Sequence, residues 1–324
     1  MFLAGDVGGT KVILALFDGK EKLSCLQEKK YKSRDFPDFL SLLKDFMGSL
    51  PTKEISSMCF GVAGPIQKGR SQEINLPWVI DNNELSQALN LKNIWLINDL
   101  EANAWGLRML GKDEIFVINA GKESAGNQAL ISAGTGLGEA GLYWDGITHR
   151  PFACEGGHVD FAPRDEEEID LLRYLQHQLG RVSCERVLSG AGIYRLYRFL
   201  VDTKRAKENP DILAIATKDE PQREILNRAV DRSCTTCMRV IRLFVSLYGA
   251  EAGNLALKFL SRGGIFLGGG IAPHLIPFFH ESTFMKSFTA KGRFASLLSS
   301  MPVKIVLNER TALLGAACYA QDKT

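Results

Sequence analysis

Three glycine-rich turns, each set directly after an apolar run, constrain this chain more than any other feature. They are Gly5-Asp6-Val7-Gly8-Gly9-Thr10, Gly134-Thr135-Gly136-Leu137-Gly138 and Gly268-Gly269-Gly270. Glycine at a strand end lets backbone N–H groups approach a phosphate with no Cβ in the way. One such turn alone is an ordinary tight β-turn. Three, spread over both halves of the chain, predict a nucleotide held between two lobes. No G-x-x-x-x-G-K-[ST] occurs, which excludes a P-loop enzyme. Gly136, Gly138 and Gly141 satisfy G-x-G-x-x-G, but Leu142 to Gly146 read as a strand and turn where a dinucleotide site needs a helix. The same spacing fits a protein-kinase loop, yet no H-R-D or D-F-G follows.

The periodicity around the turns is that of an α/β protein on mixed sheets. Phe2 to Ala4 and the β-branched run Lys11 to Phe17 form a hairpin across the first turn, and Asp18-Gly19 starts a second one. Phe39, Leu42, Leu43 and Phe46 share a helix face within Asp38 to Met47. Strands are predicted at Ile55 to Val62 and Ile94 to Ile97, with helices at Asn83 to Leu89 and Glu101 to Leu110. The second half follows the same plan. Strands are predicted at Ile115 to Asn119, Ala129 to Ser132, Leu137 to Trp144 and Gly264 to Leu267. Helices are predicted at Glu166 to Leu179, Cys184 to Leu200, Gln222 to Tyr248 and Thr311 to Ala320. No 20–50-residue repeat is visible in the sequence.

Composition matters mainly for what it excludes. The chain has 324 residues, 45% of them hydrophobic and 23% charged, which suits two ordinary globular domains. A formal net charge of +2 with acids and bases intermixed gives neither a nucleic-acid footprint nor an anionic-membrane surface. No apolar run approaches the ~18 residues of a membrane span. Asp6 interrupts what would be the apolar region of a signal peptide. The seven cysteines are odd in number and irregularly spaced, so they read as reduced thiols of a cytoplasmic protein. Cys234-Thr235-Thr236-Cys237 falls inside a helical pattern and reads as packing. Arg223, Arg228, Arg232, Arg239 and Arg242 read as a solvated helix face.

Beyond the glycine turns, the chain resembles the actin-like sugar kinases, and more specifically the bacterial glucokinases, from residue 4 to about 318. The most specific stretches are Glu155-Gly156-Gly157-His158-Val159-Asp160-Phe161-Ala162-Pro163 and Ser183-Cys184-Glu185-Arg186-Val187-Leu188-Ser189-Gly190. Ile97-Asn98-Asp99 and Gly263-Gly264-Ile265-Phe266 also match. The related ROK kinases usually follow their Glu-x-Gly-His element with a zinc-binding cysteine cluster. Val159 to Arg164 stand there instead, which argues against a structural metal. A sugar-responsive repressor of that wider family would carry a DNA-binding domain before the first glycine turn, where this sequence starts.

The resemblance implies a two-lobed actin-like, ribonuclease H-like fold with an interlobe cleft. The small domain is expected at 1–109 plus 309–324 and the large domain at 110–308. It implies ATP-dependent phosphorylation of glucose to glucose 6-phosphate, the first step of glycolysis, by a cytoplasmic enzyme. Family members are commonly homodimers. Asp99, where a strand gives way to a helix, is the expected catalytic base. An Asp at that place is also a preferred N-cap. Asn98, Asp99, Glu155, His158 and Glu185 are the expected sugar ligands, with Glu155 and His158 in a loop before a strand. ATP is expected across Gly5, Asp6, Val7, Gly8, Gly9, Thr10, Gly134, Thr135, Gly136, Gly138, Gly268, Gly269 and Gly270. Asp6 suits a hydrated Mg²⁺, which prefers one or two carboxylates plus waters. A kinase for mannose or N-acetylglucosamine, or a catalytically silent sugar sensor on the same fold, remains an alternative.

Overall fold

The computed structural model describes residues 1–19, 23–48, 50, 54–72, 78–216 and 220–324. Two compact units emerge. Unit 1 comprises Met1–Lys112, Pro151–Ala153 and Asn308–Thr324; unit 2 comprises Asp113–Arg150 and Cys154–Leu307.

Unit 1 begins with β1 (Phe2–Val7), β2 (Lys11–Asp18) and β3 (Ser24–Lys32), joined as antiparallel hairpins. Residues 20–22 lie outside the described residues. Helix α1 (Phe39–Met47) is N-capped by the Asp38 carboxylate, which accepts from the Ser41 N–H at 2.7 Å. β4 (Ser57–Val62) pairs parallel to β1; β5 (Arg70–Gln72) and β6 (Val79–Asp81) form a small ribbon. Helix α2 (Asn82–Leu89) leads to β7 (Ile94–Asn98), parallel to β4, and then to α3 (Asp99–Gly106). The sheet order is β3-β2-β1-β4-β7. Strand alternation separates two cores. Leu3, Val7, Val12, Leu14, Phe60 and Val62 face one side, while Ala4, Ile13, Ala15, Phe17, Cys59 and Ile97 face the other.

Unit 2 carries β8 (Ile115–Asn119), β9 (Gln128–Ala133), β10 (Leu137–Trp144), the two ends of β11 (His149–Cys154, of which Pro151–Ala153 fall in unit 1), α4 (Glu166–Leu179), α5 (Cys184–Val187) and α6 (Gly190–Asp202). It continues through α7 (Pro210–Ala216), α8 (Pro221–Val230), α9 (Thr235–Phe259), β12 (Gly264–Gly268), α10 (Ile276–Phe279), α11 (Thr283–Thr289), α12 (Ala295–Ser299) and β13 (Val303–Val306). The sheet order is β11-β10-β9-β12-β13-β8. β9 and β10 are antiparallel, while β9, β12 and β13 run parallel. Its first five strands therefore repeat the topology of unit 1, although the sequence shows no repeat. Helix α9 is long and apolar enough to cross a membrane, but most of it is buried as the main core helix.

Two helices differ from the sequence expectation. Cys184 to Leu200 is broken, because Ser189 caps a new helix with its hydroxyl on the Gly192 N–H. Gln222 to Tyr248 is broken at Arg232, which adopts a left-handed backbone (φ 61°). Cys234 consequently sits at the start of α9, its Sγ accepting from the Cys237 N–H at 3.3 Å, rather than inside a continuous helix.

The closing helix α13 (Thr311–Asp322) belongs to unit 1 and packs on α3, β1 and β4. A Cβ on Gly315 would lie 1.7 Å from the Ala102 carbonyl, and one on Gly106 would lie 2.0 Å from the Thr311 carbonyl. Small residues on both helices permit this approach, and it fixes α3 on its sheet.

Candidate functional site

In unit 1 the parallel strands β1, β4 and β7 end together and deliver the predicted polar residues to one sheet edge. Asp6 lies opposite Gly61, and Gly61 opposite Ile97; Val7, Val62 and Asn98 form the next row. Asp6 shares a sheet face with Ala4, on the side covered by α3. Asp99, first residue of α3, follows two residues after Ile97, which stands two strands from Asp6 in the same row. Gly61 between them lets α3 settle low: a Cβ there would lie 2.8 Å from Ala102 Cβ.

The turn after β1 is closed by the Gly8 N–H donating to the Lys11 carbonyl at 3.0 Å. Its outer side is tied down by the Ser33 hydroxyl, which donates to the Gly8 carbonyl at 2.8 Å. Asp6 is half-buried. Burial raises its carboxyl above the ordinary range, and Lys11 draws it back down. A partly desolvated carboxylate next to the backbone of a glycine turn has the chemistry that would suit one hydrated Mg²⁺. Among the described residues no cluster of three or more His, Cys, Asp or Glu side chains could hold a metal on its own.

Asn98, not Asp99, caps α3. Its Oδ1 accepts from the N–H groups of Leu100 at 2.9 Å and Glu101 at 3.4 Å, and its Nδ2 donates to the Gly64 carbonyl at 3.1 Å. An amide nitrogen has two hydrogens, so one donor remains for a ligand. Asp99 is already helical and half-buried; its Oδ1 accepts from the Leu100 N–H at 2.9 Å. The capping role open to Asp99 in the sequence therefore belongs to its neighbour.

Unit 2 brings the other predicted residues onto the start of β10. The Leu137 N–H donates to Glu185 Oε2 at 3.1 Å. A Cβ on Gly136 would lie 2.5 Å from that same oxygen, so Glu185 would have to shift to accept one. Glu155 and His158 are exposed and flank a single 3₁₀ turn, with the His158 N–H on the Glu155 carbonyl at 3.0 Å. The two glycines between them have a steric cause. A Cβ on Gly157 would lie 1.9 Å from the Leu137 carbonyl, and one on Gly156 would lie 1.8 Å from Glu139 Oε2. The expected strand after this loop is absent; a lone bridge, Asp160 to Ser183, and the Cys184 N–H on the Val159 carbonyl hold it to α5 instead.

The second and third glycine turns lie side by side. Gly268 is paired with Ser132, the Ile271 N–H reaches the Ala133 carbonyl at 3.3 Å, and a Cβ on Gly269 would lie 2.3 Å from that carbonyl. Gly269 also has φ +79°, which favours glycine. Gly134 and Gly270 face open space. The Gly134 carbonyl accepts from the Gly190 N–H at 2.8 Å, joining this turn to the start of α6.

One residue escaped the sequence reading. Glu139, in the middle of β10, points with Leu137 toward the main core and is only 1% exposed. Its Oε1 has no hydrogen-bond partner among the described residues. Burial, reinforced by the nearby Glu251 and opposed by Lys258, pushes its carboxyl up to about 7. The available signal was a charged residue at a core-facing position of a strand otherwise made of Leu, Gly, Ala, Tyr and Trp.

Known proteins match this chain over nearly its whole length. The Glucokinase family model covers residues 3–323. The glucokinase of Nostoc punctiforme is 41% identical over 99% of this chain and 98% of its own. Among solved structures, a glucokinase from an Antarctic psychrotroph superposes with TM-score 0.85 at 29% identity, covering 99% of this chain and 98% of that one. A glucokinase from Balamuthia mandrillaris, solved in complex with glucose, gives TM-score 0.81 at 20% identity over 99% and 93%, a likeness of fold. The α/β architecture described above is thus that of the actin-like sugar kinases.

Proposed function

The chain belongs to the glucokinase family, and we infer from this that it transfers the γ-phosphoryl group of ATP to glucose, giving glucose 6-phosphate and ADP. The observation that carries the reading is local to unit 2. Glu185 accepts from the Leu137 N–H at the start of β10, and Gly156 and Gly157, between Glu155 and His158, pack on the same strand where it leaves the second glycine turn. That arrangement supports a reading in which hydroxyl-binding groups lie next to a backbone edge suited to phosphates.

In this reading Asn98, Asp99, Glu155, His158 and Glu185 hold the sugar. The Asp99 carboxylate accepts the proton of the 6-hydroxyl as that oxygen attacks the γ-phosphorus in line and the bond to the β-phosphate oxygen breaks. The N-terminal position of Asp99 on α3, clamped by α13, supports a fixed base: its helix cannot shift without lifting Gly315 from Ala102. ATP lies along Gly5 to Thr10, Gly134 to Gly138 and Gly268 to Gly270, whose amides and open edges support charge stabilisation without side-chain obstruction. Asp6 is the residue that would hold Mg²⁺, which when bound neutralises charge on the phosphates. The split of these groups between the two units makes their closure on the sugar, as domains, part of the proposal. The setting is a cytoplasmic, homodimeric enzyme acting on small molecules rather than nucleic acid or membrane.

A coupled ADP-release assay across a sugar panel tests the assignment. Glucose should give the highest kcat/KM, because buried polar groups matched to its hydroxyls are left unpaired by other sugars. Faster turnover of mannose or N-acetylglucosamine would reassign the substrate. Sugar binding without ADP release would make the protein a sensor.

A further inference from the structure

The core beneath the sugar loop contains ionisable groups that the mechanism above does not use. Glu139 reaches from β10 to the underside of Gly156. Facing it are Tyr248, Glu251 and Lys258 of α9, Cys184 of α5 and Cys154 at the end of β11. Glu251 is well supplied: it accepts from Asn254 Nδ2 at 2.9 Å, Lys258 Nζ at 3.3 Å and Cys184 Sγ at 3.6 Å. Glu139 has no such donors at Oε1, and its other oxygen abuts the loop backbone. A carboxyl in that setting is comfortable as the neutral acid and costly as an anion.

We propose that Glu139 is a positioning residue for sugar binding: its protonated carboxyl is the floor under Gly156, and its ionisation displaces the turn that carries Glu155 and His158. The proposal rests on glucose being the ligand of that turn. The geometry supplies the coupling. Gly156 and Gly157 are seated on Glu139 and Leu137 with no room for a Cβ, so a carboxylate that moves toward solvent or away from Glu251 must push the turn with it. Leu137 also anchors Glu185, so a disturbance at this strand start reaches three sugar ligands together. Burial pushes Tyr248 and Cys184 upward beyond neutral titration and raises Cys154 too. Glu139, held near 7, changes charge around neutrality.

The sign follows directly. Protein with Glu139 ionised must take up a proton to bind glucose, so apparent affinity falls as pH rises. The competent fraction is roughly nine tenths at about pH 6 and one tenth at about pH 8, giving about tenfold weaker glucose binding over that span. Calorimetry of glucose binding to the full-length protein, in buffers of different ionisation heat, reads both quantities. Wild type should weaken about tenfold and take up close to one proton at about pH 8. Glu139→Gln, a neutral isostere, should bind glucose more tightly than wild type at about pH 8, with no such uptake. A flat wild-type profile overturns the proposal. So does a Glu139→Gln profile that follows wild type, because the dependence would then lie in another group. Absence of glucose binding in both proteins at every pH is the separate signature of a wrong substrate assignment, with which the proposal falls.

Discussion

Near the end of its sheet unit 1 has Asp6 opposite Gly61, one row before the last pair; unit 2 ends an equivalent sheet with Ser132 opposite Gly268. In both, a first strand turns back through glycines into an antiparallel second strand, and a parallel fourth strand pairs on the other side. The flanking positions then diverge. Unit 1 has Ile13 beside Asp6 and Asp99 just beyond β7, so its edge carries carboxylates. Unit 2 has Gly138 beside Ser132, so its edge is nearly bare backbone. The one carboxylate in the matching stretch of unit 2, Glu139, is turned inward. One topology thus gives two different edges, one that carries carboxylates and one that is nearly bare backbone.

The sharpest way to break this contrast is Asp99→Asn. If the edge of unit 1 supplies the base, kcat should fall roughly 100- to 10,000-fold, about 3–5 kcal/mol of barrier. Glucose affinity and melting temperature should barely change, since Asn98 keeps the cap. Near-normal kcat, measured with calorimetric affinity and melting on the same sample, would remove proton transfer from unit 1.

The inward carboxylate of unit 2 gives the next effect. The folded state holds the Glu139 proton up to about 7, whereas the unfolded chain releases it near 4.5. The resulting stabilisation is fully present below about pH 4.5 and lost as pH rises to about 7. Relative to Glu139→Gln, wild type should lose on the order of 3 kcal/mol over that window and no more above it. Urea unfolding of the two proteins at a series of pH values checks this; parallel curves would mean that Glu139 is not protonated in the core.

Within the second glycine turn, two substitutions should separate by substrate. Gly136→Ala puts a Cβ against Glu185 and should lower kcat/KM for glucose about 10- to 100-fold. Gly134→Ala meets nothing within 4 Å and should act on ATP instead. Steady-state kinetics with each substrate varied in turn distinguishes them; equal effects on both would show that the turn has a single function.

The smallest effect concerns the cap. Asn98→Ala frees two N–H groups at the start of α3 and should cost about 1 kcal/mol of stability, read as a lower melting temperature. A loss of activity without any loss of stability would identify Asn98 as a sugar ligand first and a cap second.

Much of this contrast was legible in the sequence because it is local. Glycine at a strand end, Asp38 before an apolar helix face, and Asp165 before Glu166 to Glu168 each state their geometry within a few residues. The rest depended on distant partners. The apolar pattern of Cys184 to Leu200 gives no hint of the break at Ser189, where Gly192 must fit against the Val187 carbonyl. Nothing about an arginine favours the left-handed backbone at Arg232 that moved Cys234 to a cap. Glu139 reads as a strand residue until α9, more than a hundred positions later, closes over it with Glu251 and Lys258. At the candidate site the residue types were readable, but the division of labour between Asn98 and Asp99 was not. Which of two adjacent residues caps depends on where the last strand pair ends.

The seating of α13 on α3 also sets a schedule for synthesis. Ser57 in β4 donates its hydroxyl to the Ala320 carbonyl across 263 residues of chain. On a ribosome adding about 5–20 residues per second, roughly 15–50 s separate the two partners. For that interval the sheet of unit 1 has emerged while the face that receives Ala316, Ala317 and Ala320 is still wet. Unit 2, encoded in between, can bury its own core first. The nascent chain therefore completes the strands of unit 1 before α13 arrives to hold α3 against them.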